Sequence, residues 1–132
     1  MLLGADTGFF IQLKNAHPMV LTIWKQVIDE AVKLIVSTVS INEILVHYYR
    51  RCKSNDAREL LKQMKALGNI DFVPVTEDIA EKSAGYRHAL NLSTIDSLVL
   101  ATFVVQGCDQ IITTDGDFKI AEEQKICKVM WL

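Results

Sequence analysis

Five short apolar segments alternate with longer stretches of helical periodicity along this 132-residue chain. The segments cover residues 2–5, 34–37, 72–75, 110–113 and 128–131. A short apolar run is typical of a strand that is buried on both faces, and helices between consecutive strands make those strands parallel. The pattern therefore predicts an α/β protein whose parallel sheet is covered by helices on both faces.

The predicted helices fill the stretches between these segments. One begins near Pro18, a residue favoured in the first turn of a helix, and another follows Ser40. Three more cover residues 57–67, 79–90 and 94–106, the second of them with Thr76 as its expected cap. No repeat, linker or low-complexity segment interrupts this order, so we predict one domain over residues 1–132.

Charge is low overall but unevenly distributed. The formal net charge of −2 excludes the global basicity of a general nucleic-acid coat protein. Residues 47–65, however, contain six Lys or Arg and two acids, a local net charge of +4. This basic segment is either a solvated helix surface or a phosphate-binding patch beside an acidic site.

Three cysteines, Cys52, Cys108 and Cys127, lie outside any CxxC spacing. Their odd number and wide separation are typical of a reducing compartment. The amino terminus has no basic residue before its first apolar stretch, and the apolar run 98–105 is too short to span a bilayer. We therefore expect a cytoplasmic protein without a membrane segment.

Carboxylates follow two of the predicted strands directly. Asp6 comes after the first strand, and Asp115 and Asp117 come after the fourth. Ligands of α/β proteins bind beyond the carboxyl ends of the strands, at the point where the strand order switches. Each acid alone could be a cap or turn residue. The pairing of Asp6 with Asp115 makes Asp115 the stronger candidate for a site acid and leaves Asp117 secondary.

Two further acids lie on predicted helices. Glu43 follows Ser40 at the spacing of a capping box, so a structural role and a site role both stay open. Asp96 precedes an inward-facing apolar stripe, although a cap role after Ser93 is the alternative. An acid that points inward usually meets a cation or shares a proton. Carboxylate ligands without histidine or thiolate favour magnesium or manganese.

Several other site types lack support. The histidines His17, His47 and His88 have no paired metal-ligand spacing. The chain contains neither GxGxxG nor GxxxxGK, which removes the usual signatures of dinucleotide and Walker-type phosphate binding.

Taken together, these motifs resemble the PIN-domain family, particularly its VapC-like ribonuclease toxins. The resemblance spans essentially the whole chain and rests on four segments: Asp6 with Thr7, residues 40–45 with Glu43, residues 92–101 with Asp96, and residues 113–118. It implies a single PIN-like domain with a five-stranded parallel sheet flanked by helices on both faces.

The resemblance also implies a site. The acids carried over by position, as catalytic and metal-binding residues around one or two Mg²⁺ or Mn²⁺ ions, are Asp6, Glu43, Asp96 and Asp115. The supporting residues would be Thr7, Thr113 and Asp117. Gly8 and Thr114 depart from the family pattern, where a small polar and a basic residue are common. Those departures concern outer contacts rather than the acids.

The function implied is that of an endoribonuclease that depends on magnesium or manganese and hydrolyses RNA phosphodiesters. Arg50, Arg51 and Lys53 of the basic segment would bind RNA. Family members commonly form homodimers and are silenced by a small antitoxin protein, so we expect a toxin of a toxin–antitoxin pair.

Three other functions stay open. One is a housekeeping PIN nuclease, and another is a non-catalytic RNA- or protein-binding module on the same fold. The third, a phospho-receiver domain, is disfavoured because no adjacent acidic pair follows the first strand and Thr113 stands where a receiver needs a lysine.

Overall fold

A five-stranded, fully parallel sheet forms the centre of the protein in the computed structural model, which describes residues 1–132. The strands are β1 (Leu2–Ala5), β2 (Lys33–Ser37), β3 (Ile70–Val73), β4 (Gln110–Thr113) and β5 (Lys128–Trp131). The helices are α1 (Thr7–Lys14), α2 (Pro18–Ile28), α3 (Thr38–Tyr49), α4 (Ser54–Ala66), α5 (Glu77–Leu90), α6 (Thr94–Val105) and α7 (Lys119–Glu123). A 3-10 helix, Gly116–Phe118, precedes α7. The predicted α/β class is thus confirmed.

The strand order β3-β2-β1-β4-β5 places β1 in the middle of the sheet. Gly4 of β1 pairs with Ile35 of β2 on one side and with Ile111 of β4 on the other. The chain therefore builds outward from β1 in one direction and later returns to build in the other. The switch point lies beyond the carboxyl ends of β1 and β4, where α/β proteins place their ligands.

Hydrophobic clusters cover both faces of the sheet. Along β2, Leu34 and Val36 belong to one cluster and Ile35 to the other, because successive side chains of a strand point to opposite faces. Phe9 and Phe10 of α1 fill the first cluster. The prediction of helices on both faces is confirmed.

Gly4 sets how closely α6 approaches the sheet. A Cβ atom built on Gly4 would lie 2.6 Å from ring carbons of Phe103, so any side chain here would push the helix outward. Because α6 carries Asp96, this close approach also fixes the distance between that carboxylate and the ends of the central strands.

The third strand lies two residues earlier than the predicted 72–75. Pro74 has no N–H to donate, and the ladder ends where Val73 pairs with Ser37. Asp71 is tolerated in the strand because β3 is an edge strand, and its carboxylate meets Lys33 Nζ at 2.8 Å.

The start of α3 also differs from the prediction. The helix begins at Thr38, and the hydroxyl of Ser37 accepts the Val39 N–H at 3.2 Å. Ser40 therefore lies inside the helix, and the capping box of Ser40 with Glu43 is wrong. The cap expected of Thr76 is confirmed, since its hydroxyl accepts the Ile79 N–H.

Two short helices, α1 and α7, lie outside the predicted set, because eight and five residues give too few turns for a clear apolar stripe. None of the helices combines the length and the apolar character that crossing a bilayer requires.

Candidate metal centre

Asp6 lies at the junction of β1 and α1. It is the N-cap of α1, and its Oδ1 accepts the Phe9 N–H at 3.3 Å. Its other oxygen accepts a hydrogen bond from the hydroxyl of Thr113. The side chain is buried, with the whole residue 7% exposed. Asp6 is therefore both the cap of α1 and the carboxylate at the end of β1, so its two predicted roles do not exclude each other.

Thr113 ends β4 and connects two acids. Its hydroxyl donates to Asp6 and accepts the Asp115 N–H at 2.9 Å. It is fully buried. This one side chain therefore holds together segments that are 107 residues apart in sequence.

Asp115 and Asp117 sit on the turn after β4. Asp115 Oδ1 accepts the Asp117 N–H at 2.9 Å and so caps the 3-10 helix. Asp96 is in the first turn of α6, where the Ser93 hydroxyl accepts the Asp96 N–H at 3.1 Å. Ligand atoms of Asp96, Asp115 and Asp117 all lie within 4.8 Å of one another.

Glu43 approaches from α3. Its Oε1 accepts a hydrogen bond of 2.9 Å from the hydroxyl of Thr7, the first residue of α1. Its neighbours across the cleft are the acids at the strand ends. A cleft of about 340 Å³ is lined by the four acids expected from the sequence together with Thr7, Gly8, Ile11, Val99, Thr114 and Phe118.

The structure groups the acids differently from the sequence analysis, which treated Asp117 as a secondary candidate. The tightest group consists of Asp96, Asp115 and Asp117. Asp6 and Glu43 stand apart from it, each fixed by a threonine hydroxyl. The Asp115-Gly116-Asp117 spacing across a turn is the signal that could have placed Asp117 in the group.

The acids perturb one another. Burial first, and then the charge of Asp115, raise the pKa of Asp6 to about 6 against the opposing hydrogen bonds from Thr113 and Phe9. Burial also raises the pKa of Asp96 to about 6, with further increases from Asp115, Asp117 and Glu43. A cation bound among carboxylates that raise one another's pKa would stabilise their ionised forms.

The donor set fits a divalent hard cation. All of the clustered ligands are carboxylate oxygens, which suit magnesium or manganese better than zinc or copper. The two ion pairs of the structure, Lys33–Asp71 and Lys119–Glu123, lie outside the cluster. The negative charge of the centre is therefore not neutralised by the protein itself.

A basic groove of about 900 Å³ adjoins the cleft lined by the four acids, which we call the acid cleft. The two share Thr7, Ile11 and Glu43, and the groove continues to Arg50 and Arg51. Lys53, the third basic residue expected to bind RNA, does not line this groove.

His47, which has no paired metal-ligand spacing and lies on the Glu43 face of its helix, also lines the groove. Arg51 Nη1 donates to the His47 carbonyl oxygen at 2.9 Å and lies 3.0 Å from its Nδ1. Partial desolvation, followed by the charges of Arg51 and Lys14, lowers the pKa of His47. Sequence spacing gives only that His47 and Arg51 are one helical turn apart.

Several solved structures have the same fold, and one of them is described as a toxin–antitoxin complex from Klebsiella pneumoniae. FitAcB from Neisseria gonorrhoeae is 24% identical, with a TM-score of 0.72 over 98% of this chain and 96% of that chain. VapC20 from Mycobacterium tuberculosis is 20% identical, with a TM-score of 0.71 over 90% and 94%. VapBC2 from Rickettsia felis, bound to promoter DNA, is 12% identical, with a TM-score of 0.77 over 100% and 99%. At these identities the likeness shows the fold.

Comparison with curated protein sequences gave no significant match. The family model of the PIN domain matches residues 5–124. That range contains every acid of the cleft, the strands β2, β3 and β4, and the last residue of β1. This chain therefore belongs to the PIN-domain family.

Proposed function

We propose that this protein is a metal-dependent endoribonuclease that hydrolyses RNA phosphodiesters. The observation that carries the proposal is the convergence of four acids from four parts of the chain on one cleft at the switch point of the sheet, with Asp117 clustered beside two of them. Structural acids at helix starts would be scattered over the surface. Their concentration in one cleft without a compensating cation is typical of a metal-dependent phosphodiesterase site.

The acids would share the cation binding. Asp96, Asp115 and Asp117 are close enough to hold one Mg²⁺ or Mn²⁺ ion, and Asp6 and Glu43 face them across the cleft. When bound, the metal would supply a Lewis acid and a water of lowered pKa for in-line attack at phosphorus. The hydroxyls of Thr113 and Thr7 keep Asp6 and Glu43 in fixed orientations, so that little reorganisation is needed on binding.

Arg50 and Arg51 would bind the phosphates next to the scissile bond. Both line the groove that opens from the acid cleft, and guanidinium groups pair with phosphate through two parallel hydrogen bonds. Lys53 is exposed and close by in sequence, where it would add a less directional attraction.

We extend the proposal to a toxin role, with a small antitoxin protein as partner, a homodimeric state and a cytoplasmic location. The support is that similar structures are described as toxin–antitoxin complexes, and that VapC20 is described as a toxin that cleaves the sarcin-ricin loop. Growth arrest on expression and its relief by the product of a neighbouring small gene would test this role. Their joint absence would favour a housekeeping PIN nuclease.

Asp96→Asn tests the chemistry directly. The variant keeps the size of the side chain and the Ser93 cap, which uses the backbone N–H, but removes a charge from the cluster. We expect loss of manganese-dependent RNA cleavage with an unchanged circular dichroism spectrum. Asp29→Asn, at the exposed end of α2, is the control and should cleave normally. Undiminished cleavage by Asp96→Asn would overturn the assignment.

A non-catalytic binding module on the same fold would behave differently. Mn²⁺ that binds only to the folded protein raises its melting temperature as the ion concentration exceeds the dissociation constant. We expect this rise in the native protein and a smaller one in Asp96→Asn. A melting temperature that does not respond to Mn²⁺ would support the non-catalytic module.

A further inference from the structure

We propose that the substrate RNA leaves the acid cleft along the groove between α1 and α3, where His47 positions Arg51 and where Lys14 forms a second phosphate-binding cluster with Arg51 and Lys53. This inference rests on the proposed nuclease function. It goes further by assigning a direction to the RNA path and roles to Lys14 and His47.

Both walls of the groove run from the acid cleft at one end to a basic residue at the other. On α1, Thr7, Ile11 and Lys14 recur at intervals of four and three residues and therefore share one helix face. Thr7 lies at the acid cleft and Lys14 at the far end of the helix. Seven residues at 1.5 Å each separate them by about 10 Å, roughly three stacked nucleotides at 3.4 Å.

The opposite wall repeats this arrangement on α3. Glu43, His47 and Arg50 are spaced four and three residues apart and all line the groove. Glu43 belongs to the acid cleft as well, whereas Arg50 is at the carboxyl end of the helix. Each wall thus changes from acid-cleft residues at one end to cations at the other, which defines a path rather than a single contact.

His47 fixes one of these cations. Both hydrogen bonds to His47 use Nη1 of Arg51, so the other guanidinium N–H groups stay available to a ligand. A guanidinium that is already held loses less freedom when it binds phosphate. His47 is accordingly a positioning residue that acts through Arg51.

Lys14 does not line the groove itself but a separate cleft, whose walls include Tyr48, Asp56 and Glu59. Its Nζ lies 4.8 Å from the centroid of the Tyr48 ring. The centroid of the Tyr48 ring is 5.9 Å from that of His47, the residue that holds Arg51. In agreement with this geometry, partial desolvation and then the charges of Lys53 and Arg51 lower the pKa of Lys14, against the opposing charge of Asp56. None of the three cations forms an ion pair within the protein. Cations without an ion-pair partner are complementary to a polyanion.

RNA is favoured over an acidic protein segment because the cations continue the cleft in which the phosphodiester would be cut. The shared residues Thr7, Ile11 and Glu43 leave no barrier between the two. A single-stranded RNA fits both parts, because one of its phosphodiesters would lie in the acid cleft and its regularly spaced phosphates would follow the cations beyond.

The salt dependence of RNA binding tests the path. We would measure the affinity for a fluorescein-labelled single-stranded RNA by anisotropy in EDTA, where cleavage is blocked, over a series of salt concentrations. Log affinity falls as log salt rises. Lys14→Gln and Arg51→Gln should each make this slope shallower by about 0.7, the value for one phosphate contact on a single strand.

Lys82→Gln is the matched control. Lys82 also lies over an aromatic ring, 5.6 Å from the centroid of Tyr86, but it is on α5, away from the groove. The variant removes the same charge and the same type of contact. It should leave the slope unchanged.

A double-mutant cycle tests the role of His47. His47→Ala should weaken RNA binding several-fold in the native background and have almost no effect in Arg51→Gln, because the two residues act as a unit. Equal effects in both backgrounds would overturn the positioning role.

The remaining outcomes separate this inference from the proposed function. Normal cleavage with unchanged slopes in Lys14→Gln and Arg51→Gln would overturn the path alone. Groove variants that keep RNA affinity but lose binding to polyglutamate would assign the groove to an acidic protein. A native protein that neither binds nor cleaves RNA would overturn the proposed function itself.

Discussion

Replacement of Asp6 by Asn should stabilise the metal-free protein above pH 7 while it abolishes cleavage. Asp6 is buried, and the pKa of its carboxyl is raised from 3.8 to about 6. The native state therefore binds more protons than the unfolded state between about pH 4 and pH 6. Stability falls as the pH rises through this window, and the full penalty is present above it.

The magnitude follows from the shift. Roughly two pKa units at 1.36 kcal/mol each cost the native state about 3 kcal/mol when Asp6 is ionised. Asn still accepts the Phe9 N–H, because it is among the best N-cap residues. It loses the carboxylate oxygen that accepts from Thr113, which costs about 1 kcal/mol. The net gain is about 2 kcal/mol, or about 8 °C in melting temperature for a domain of this size.

Urea unfolding in EDTA at pH 7.5 and at pH 4 measures this gain. The advantage of Asp6→Asn should be present at pH 7.5 and nearly absent at pH 4, where the native carboxyl is protonated. Asp29→Asn, which changes an exposed acid at the other end of the sheet, should match the native protein at both values. An Asp6→Asn protein that is no more stable than the native one at pH 7.5 would refute this reasoning.

Two further substitutions test the architecture around the site. Gly4→Ala places a methyl group against the Phe103 ring and should destabilise the protein by about 1–3 kcal/mol in urea unfolding; a native midpoint would contradict the close approach. Thr113→Val removes the bond that lowers the pKa of Asp6 and orphans the Asp115 N–H, so the acid limb of the cleavage pH profile should move to higher pH. Thr113→Ser keeps the hydroxyl and should retain the native profile, and a profile unmoved in Thr113→Val would remove the hydroxyl from the mechanism.

The strands that position the site were predictable because fully buried parallel strands are short apolar runs. β1 and β4 fall at their predicted bounds, so the placement of Asp6 and Asp115 at strand ends followed from the sequence. The predicted bounds of β3 were two residues too late. An edge strand tolerates the charged Asp71, which an apolar pattern excludes, and Pro74 ends the ladder.

The detailed grouping of the acids was not predictable in the same way. Whether Asp117 or Asp6 joins Asp96 depends on how the turn after β4 folds back. The side chains of Thr113 and Asp115 hold that turn by accepting the Asp115 and Asp117 N–H groups. The proximity of Lys14 to Arg51 likewise arises from the packing of α1 on α3. Local periodicity contains neither kind of information.

The Asp6–Thr113 hydrogen bond also constrains when a nascent chain can become active. Asp6 precedes its partner on β4 by 107 residues, and β4 is also the strand that completes the centre of the sheet. Contacts of such long sequence separation form late in folding. A ribosome-bound chain that ends before Gln110 lacks Thr113 and Asp115, so synthesis itself delays assembly of the acid cleft until nearly the whole domain exists.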